Sequence, residues 1–530
     1  MAFHELGSLR PARRFWGWGA ADDALLPMEA DAVAAAIAAL GAAPPAPAPR
    51  LEEFALAPPR VTPPASLAGW FSANPLGRLS HAGGKSYADL ARMWLRQPPR
   101  APDWVAYPPD EAALTAIMDW AGAAGVKLVP FGGGSSVVGG VEPPDAPCVS
   151  VDMERFGRVL DIDRTSRAAL IEAGAYGPNL EAQLKPHGLT LRHFPQSFAY
   201  STLGGWIATR AGGHYATLAT HIDDFVENIR MVAPAGTIET RRLPGSGAGP
   251  APDRLLIGSE GCFGIITRAW MRVQDRPRFK AAGTFQFRAM APAIEALRRL
   301  AQSGLYPSNC RLLDAAEVTF ARVGDGTSPM LIVAFESADH PTDAAMARAY
   351  EIVADSGGSA MPAAEGGGSA DAWRMAFLRM PYYRDPMVGA GIIVDTFESA
   401  VTWDRFSAFY DGVRAAVADA IRRVTGGDVT LSCRITHVYP DGPAPYFSYA
   451  VRGPAGGLAS ALAAWREIKA ACNEAVIGFG GTCTHHHAVG RDHLPGYDRE
   501  VPELMRAALQ GVKIRFDPGA IMNPGVLLHG

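Results

Sequence analysis

The stretch KLVPFGGGSSVVGG, Lys127–Gly140, is the part of the sequence from which the fold is best inferred. Its first residues are apolar, Pro130 closes that run, and glycines follow, which predicts a strand feeding a glycine-rich turn. Such a turn lets a ligand approach the backbone closely, and amides beside Ser135 and Ser136 can cradle an anion. A tight turn in a chain with 57 glycines is the alternative. No Gly-Lys-Ser/Thr or Gly-x-Gly-x-x-Gly pattern is present, so P-loop and Rossmann sites are not indicated.

Composition and charge limit the class of protein. A chain of 530 residues predicts several packed units, and a net charge of −4 without a long basic run argues against nucleic-acid binding. The six scattered cysteines favour a reducing compartment and no disulfide framework. Without an apolar leader or a run of about 18 apolar residues, we expect a cytoplasmic protein. Peripheral membrane contact and a homodimer are compatible with this sequence.

The first 98 residues are predicted to be an appendage. A proline-rich linker, APPAPAPR (43–50), cannot continue a helix. The aromatic cluster RFWGW (14–18) predicts that Trp16 and Trp18 pack this region onto the body of the protein.

Two further segments carry glycine and hydroxyl residues, FPQSFAYSTLGGWIATRAGG (194–213) and LLIGSEGCFGIITRAWMRV (255–273). A helix N-cap at Ser201 or Thr202 would explain the first segment by itself, and turn chemistry would explain the second. Three such loops within about 140 residues favour a large phosphate-bearing cofactor that contacts all of them.

Residues 281–475 alternate predicted strands and helices, and short links predict an antiparallel sheet. In PYYRDP (381–386), the Arg384 guanidinium could bind a phosphate or carboxylate with two hydrogen bonds, or form an ordinary ion pair.

The segment LSCRITHVYPDGPAPYFSYAV (431–451) predicts a hairpin. On its second strand Phe447 and Tyr449 share one face and Tyr446 points to the other. Burial in a core is the alternative role for all three aromatic residues.

Three adjacent histidines stand in CTHHHAVGRDH (483–493). Successive residues on a strand point to opposite faces, so at most His485 and His487 would converge. No His-Glu-x-x-His or cysteine pair accompanies them. We therefore predict no metal site, and assign the histidines to acid–base catalysis or charge stabilisation.

In combination these motifs resemble a known family. The three glycine-bearing loops are similar to the FAD-binding stretches of the vanillyl-alcohol-oxidase/PCMH-type fold. Within it, the chain resembles the alkyldihydroxyacetonephosphate synthases of the FAD-binding oxidoreductase/transferase type 4 family. The resemblance covers most of the chain and rests on the ordered motifs FWGWG (15–19), RLLD (311–314), YYRD (382–385), TFE to WDR (396–405), SCRIT (432–436), THHHAVG (484–490) and DPGAIMNPG (517–525).

The resemblance implies an α+β protein in four parts. These are an N-terminal helical and extended region at 1–98, a PCMH-type FAD-binding domain at 99–277, an α/β cap domain with an antiparallel sheet at 278–475, and a C-terminal segment at 476–530 that returns to the FAD site.

FAD is the implied cofactor, with its pyrophosphate on the first loop, its flavin and ribityl chain on the second, and the third loop closing the site. The glycine loop contains no histidine or cysteine, so non-covalent FAD is expected there. The implied cofactor-binding residues are Pro130, Phe131, Gly132, Gly133, Gly134, Ser135, Ser136, Gln196, Ser197, Phe198, Ala199, Tyr200, Ser201, Thr202, Thr209, Arg210, Ala211, Gly212, Glu260, Gly261, Cys262, Phe263, Gly264, Ile265 and Ile266.

The implied activity belongs to ether lipid synthesis. The enzymes of this family exchange the acyl group of acyl-dihydroxyacetone phosphate for a long-chain alcohol through a flavin N5 adduct, so a small or lipid-like substrate is expected. The catalytic residues carried over from the motifs are Tyr446, Arg384, Arg311, His485, His486 and His487.

The sequence departs from the family pattern at Gln196, Gly212, Pro445 and Ala488, which leaves FAD binding intact and the substrate open. An FAD-dependent dehydrogenase or oxidase of a 2-hydroxy acid, such as D-lactate or glycolate, is the alternative, since arginine also binds carboxylates. A glycine-rich scaffold is a third reading, but it leaves the three loops without a purpose. The alanine- and proline-rich composition suggests a bacterial source.

Overall fold

Four β-sheets organise the chain in the computed structural model, which describes residues 13–98, 100–218, 220–321, 323–362 and 369–529, without the side chains of 369–377. The first sheet is mixed, and its neighbouring strands are Phe71–Ser72, Trp104–Ala106, Cys148–Asp152 and Lys127–Phe131. The last of these is the predicted strand, and it delivers the glycine-rich turn to the sheet edge.

The second sheet is antiparallel and carries the third loop. Its strands lie in the order Val159–Asp163, Ala168–Glu172, Ile265–Arg272, Val226–Ala233 and Gly236–Glu239. A separate two-stranded antiparallel ribbon pairs Leu189–Thr190 with Gln274–Asp275. The second loop leads into helix Leu203–Thr209, whose N-cap is Thr202, so the capping role considered for that loop is real.

The cap domain is a seven-stranded sheet in which every pair is antiparallel, as predicted. Its strands lie in the order Ser359–Ala360, Phe279–Gln286, Met330–Ser337, Asn309–Leu313, Ser432–Val438, Pro443–Arg452 and Ile392–Glu398. The predicted hairpin forms, and Phe447 and Tyr449 enter the core of this domain. Tyr446 is not part of that core cluster and lines a cavity, which Tyr449 also borders. The predicted alternation therefore holds for Tyr446 and Phe447.

Helices cover both units. Among the described residues they are Pro27–Ala39, Pro75–Ser80, Tyr87–Trp94, Glu111–Ala124, Gly177–Leu184, Leu203–Thr209, Pro252–Leu256, Met290–Gln302, Ala315–Ala321, Asp343–Asp355, Ser369–Gly389, Trp403–Thr425, Gly457–Gly478, Leu494–Glu500 and Glu503–Phe516. In the described ranges, no helix has the length and apolar character needed to cross a membrane.

The N-terminal arm is anchored by its tryptophans, as predicted. The Trp16 ring lies edge-on to Trp94 with 5.6 Å between centroids, and Trp18 meets Tyr200 at the same separation. The Trp18 amide donates to the buried Asp385 carboxylate at 2.8 Å. The arm therefore reaches both the second loop and the helix Ser369–Gly389.

Candidate active site

A cavity of about 340 Å³ opens where the three loops face the seven-stranded sheet. Most of the predicted cofactor residues line it, and they are Pro130, Phe131, Gly132, Gly133, Gly134, Ser135, Ser136, Gln196, Ser197, Ser201, Thr202, Thr209, Ala211, Gly212, Glu260, Gly261, Gly264, Ile265 and Ile266. Five of the six predicted catalytic residues line it too, namely Arg311, Arg384, Tyr446, His486 and His487.

Six predicted cofactor residues do not line the cavity, because their side chains pack elsewhere. Tyr200 donates to or accepts from the Tyr382 hydroxyl, and Ala199 packs beside them. Phe198 stacks on Trp206. The others are Arg210, paired with Asp223, Cys262, whose thiol donates to the Val526 carbonyl, and Phe263, which packs against Phe516.

The glycines of the first loop are required by packing against the second loop. A Cβ on Gly133 would lie 1.9 Å from the Tyr200 carbonyl oxygen, and one on Gly132 would lie 2.2 Å from the Thr202 hydroxyl. Gly134 has φ +63°, a conformation that favours glycine. The two loops can therefore meet as closely as they do only without side chains on the first.

This loop fits the pyrophosphate of FAD. Among the described residues, the amides of Gly133, Gly134 and Ser135 have no hydrogen-bond partner, although they border the cavity. A row of free amides in a glycine turn is a suitable donor set for an anion. Glu260 and Gly261 line the cavity beside this loop, and the Pro130 ring leaves no room for a side chain at Gly261.

Tyr446 contacts both a cation and two imidazoles. Its hydroxyl donates to the Thr396 hydroxyl at 2.9 Å, and the Arg434 guanidinium lies 4.0 Å above its ring. His486 stacks on the ring at 5.9 Å and His487 meets it edge-on at 5.4 Å. Burial raises the pKa of Tyr446, while Arg434 and the Thr396 bond oppose that change. The phenol is therefore protonated at neutral pH.

Arg434 was not predicted as a site residue, although it stands inside the SCRIT motif. Its Nη1 donates to the Glu317 carboxylate at 2.8 Å, and the two side chains are only 4% and 0% exposed. Glu317 also accepts from the Ser432 hydroxyl. The buried ion pair holds a positive charge against the cavity and Tyr446. A lone arginine in a strand pattern contains no sequence signal for this role.

Arg311 and Arg384 bring further positive charge to the cavity. Arg311 is buried, and burial together with the nearby Arg434 cation lowers its pKa to about 9. Its Nη2 reaches the His214 carbonyl at 3.4 Å. Arg384 donates to the Lys85 carbonyl. Three guanidinium groups therefore line one cavity, which suits an anionic substrate.

The histidine segment corrects the sequence prediction. Residues 484–488 form a loop rather than a strand, so the alternation argument was wrong. His485 converges with His486, with their Nδ1 atoms 3.1 Å apart, and His437 joins them. His485 itself lies outside the cavity lining and contacts the Tyr439 hydroxyl at 2.7 Å.

Nitrogen atoms of His437, His485 and His486 lie within 4.8 Å of one another, close enough for a metal ion. The same rings are already engaged in hydrogen bonds, since His437 Nε2 donates to the Gly213 carbonyl at 2.7 Å. The absence of a metal site stays a prediction. Burial lowers the pKa of His486 and places that of His487 well below its ordinary value, so both imidazoles are neutral at pH 7.

Two other residues at the site were missed. Glu398 is buried beneath the histidines; burial alone would raise its pKa, but the imidazoles of His486, His487 and His485 and the Thr484 hydroxyl hold it well below its ordinary value. Trp18 lines the cavity from the N-terminal arm. Nothing in the local sequence shows that residues this far apart meet.

Comparison with known proteins identifies the family and the fold of the chain. A model of the FAD binding domain matches residues 102–241, and a model of the C-terminal domain of FAD linked oxidases matches residues 276–527. The alkyldihydroxyacetonephosphate synthase of Dictyostelium discoideum is 30% identical over 481 residues, which are 86% of this chain and 77% of that protein. A probable mitochondrial D-lactate dehydrogenase of Danio rerio is 22% identical, covering 81% and 85%.

Solved structures show the same relationship. An alkyldihydroxyacetonephosphate synthase superposes with a TM-score of 0.79 and 25% identity, over 96% of this chain and 97% of the other. Substrate-bound p-cresol methylhydroxylase has a TM-score of 0.68 over 88% and 95% at 14% identity, which shows the fold alone. The chain therefore belongs to the family of FAD-dependent enzymes that includes the alkyldihydroxyacetonephosphate synthases, on the PCMH-type fold.

Proposed function

We propose that this protein exchanges the acyl group of acyl-dihydroxyacetone phosphate for a long-chain alcohol, as a step of ether lipid synthesis. The observation that carries the proposal is Tyr446, which lines the cavity in contact with the Arg434 guanidinium and the His486 imidazole. When bound, FAD supplies the electron-pair chemistry at the substrate carbon that no side chain offers.

The cavity suits a substrate with an anionic head and an apolar chain. Arg311, Arg384 and Arg434 supply the cations for a phosphate. Apolar side chains form another part of the lining, among them Trp18, Phe320, Met380, Met387 and Val394. A small 2-hydroxy acid would use the cations but would leave that apolar wall without contacts, which favours the lipid-like substrate.

Acid and base roles follow from the protonation states. The Tyr446 phenol keeps its proton at neutral pH and can donate it to the departing carboxylate or the substrate oxygen. His486 is neutral, so it can accept the proton lost by the entering alcohol. The pKa is raised for Tyr446 and lowered for His486, and such opposite shifts are typical of an acid–base pair.

We also propose that FAD is held without a covalent bond. The first loop has no histidine or cysteine, and the Cys262 thiol points away from the cavity to the Val526 carbonyl. Acid precipitation of the holoprotein should release all flavin into the supernatant, and flavin that stays with the pellet would contradict this.

A single comparison separates the proposal from 2-hydroxy acid oxidation. Holoprotein is mixed anaerobically with D-lactate or glycolate, and in parallel with acyl-dihydroxyacetone phosphate and a labelled long-chain alcohol. We expect the oxidised-flavin absorption band to persist with the acids, and label to enter the lipid product with release of a fatty acid. Bleaching by an acid without label transfer would establish the dehydrogenase instead.

Tyr446→Phe tests the role of the phenol. We expect full FAD content and a fall in turnover of about 10² to 10⁴-fold, the range for loss of one acid–base group. Tyr87→Phe is the matched control, because the Tyr87 hydroxyl is buried in the core without a partner in the described structure. Unchanged turnover in Tyr446→Phe would remove the tyrosine from the mechanism.

A further inference from the structure

The histidine loop is held by two buried carboxylates that come from different domains. Glu398 ends the strand Ile392–Glu398 of the seven-stranded sheet. Its carboxylate accepts the amides of His485, His486 and His487 at 2.6, 3.1 and 3.1 Å. It also accepts the Thr484 hydroxyl at 2.6 Å. Three successive amides therefore point at one side chain.

Glu260 holds the other end of the same loop. It belongs to the third glycine-bearing loop and accepts the amides of Val489 and Gly490 at 2.9 and 2.8 Å. Glu398 and Glu260 are 2% and 8% exposed. The pKa of Glu398 lies well below its ordinary value, so its carboxylate is charged and its water-excluded hydrogen bonds are strong relative to neutral ones. Burial raises the pKa of Glu260 to about 7.

The register of the sheet connects this arrangement to Tyr446. Glu398 is the cross-strand partner of Tyr446, and two of the three histidines whose amides it accepts, His486 and His487, contact the Tyr446 ring. One carboxylate thus sets the position of the loop relative to the tyrosine. We propose that Glu398 is a positioning residue, which holds His486 and His487 against Tyr446 in a catalytically competent arrangement.

The role requires a carboxylate rather than an amide. Two oxygen atoms share three amide donors and one hydroxyl donor, whereas glutamine would offer one oxygen and turn an NH₂ group toward N–H donors. Glu260 then transmits the same loop position to the FAD site. The catalytic part of this proposal rests on the proposed function, because that function defines the reaction whose turnover is measured. The hydrogen bonds from the loop to Glu398 do not depend on it.

Hydrogen exchange tests the holding directly. In Glu398→Gln holoprotein, we expect the amides of His485, His486 and His487 to exchange at least about tenfold faster, since each loses a hydrogen bond to a charged acceptor. Glu500→Gln is the matched control, because Glu500 accepts the neighbouring Cys483 amide at 2.8 Å outside the cavity. It should deprotect Cys483 and leave the histidine amides unchanged.

Kinetics tests the consequence. We expect Glu398→Gln to keep its FAD and its KM while kcat falls about a hundredfold, the effect of misplacing catalytic groups by about 1 Å. Glu500→Gln should keep the wild-type kcat. Glu398→Asp, which preserves the charge on a shorter side chain, should lie between Glu398→Gln and wild type in both exchange and kcat.

The experiments test the positioning role of Glu398 and the proposed function separately. Unchanged exchange at the three histidine amides, or faster exchange with an unchanged kcat, would overturn the positioning role. If wild-type protein fails to transfer the labelled alcohol, the proposed function fails. The same variants are then compared in flavin reduction by 2-hydroxy acids, and the exchange measurement stands as before.

Discussion

Variants that remove the Arg434 charge should distinguish the contribution of this residue to protein stability from its contribution to turnover. Arg434→Met leaves the apolar stem in place but strips Glu317 of its ion partner in a region where both side chains are nearly inaccessible. The Ser432 hydroxyl still donates a hydrogen bond to that carboxylate. The double variant Arg434→Met with Glu317→Gln removes both charges and leaves a hydrogen-bonding amide.

The magnitudes follow from burial. Breaking a buried pair by removing one partner costs about 3 to 5 kcal/mol, because an uncompensated charge stays inside. The double variant should recover most of that loss. A desolvated cation over an aromatic ring contributes about 2 kcal/mol, and at 4.0 Å the Arg434 guanidinium makes this contact with Tyr446. Both variants without the arginine should therefore lose turnover, while Glu317→Gln alone should retain it.

The assay is urea denaturation followed by tryptophan fluorescence, together with turnover at saturating substrate. We expect stability to fall in the order wild type, double variant, Arg434→Met. Equal stability of the double variant and Arg434→Met would refute the argument from the buried charge. Wild-type turnover in the double variant would refute the argument that Tyr446 needs the cation.

Two further predictions concern packing and acid stability. Gly133→Ala should overpack the contact with Tyr200, which lowers the free energy of unfolding by about 1 to 3 kcal/mol and reduces the flavin absorbance per protein. Gly122→Ala is the control, because its Cβ would meet nothing within 4 Å and neither quantity should change. His193 is buried, neither of its ring nitrogens has a hydrogen-bond partner among the described residues, and burial lowers its pKa from 6.5 to about 3. The unfolded state binds this proton first, so stability falls as pH decreases below 6.5, by about 3 kcal/mol at pH 4.5. In His193→Phe the acid dependence measured by urea denaturation should be shallower by that amount, and an unchanged slope would contradict the assignment.

Features that depend on neighbours in sequence were predictable. The strand Lys127–Phe131 and its glycine turn follow from an apolar run and residues that permit unusual φ angles. Tyr446 and Phe447 lie on opposite faces of the second strand of the hairpin, which follows from the two-residue period of a strand. The prediction for the histidines failed because that period was applied to a segment that is a loop.

Local periodicity and backbone freedom were enough to predict the glycine-rich turn after Lys127–Phe131, the antiparallel cap sheet and the opposite faces of Tyr446 and Phe447. The residues that surround these parts come together only through tertiary contacts. Arg434 with Glu317, and Glu398 with the histidine amides, are separated by 117 and at least 87 residues along the chain. Charge pairs at such separations are formed by sheet register and loop packing, which no local pattern encodes.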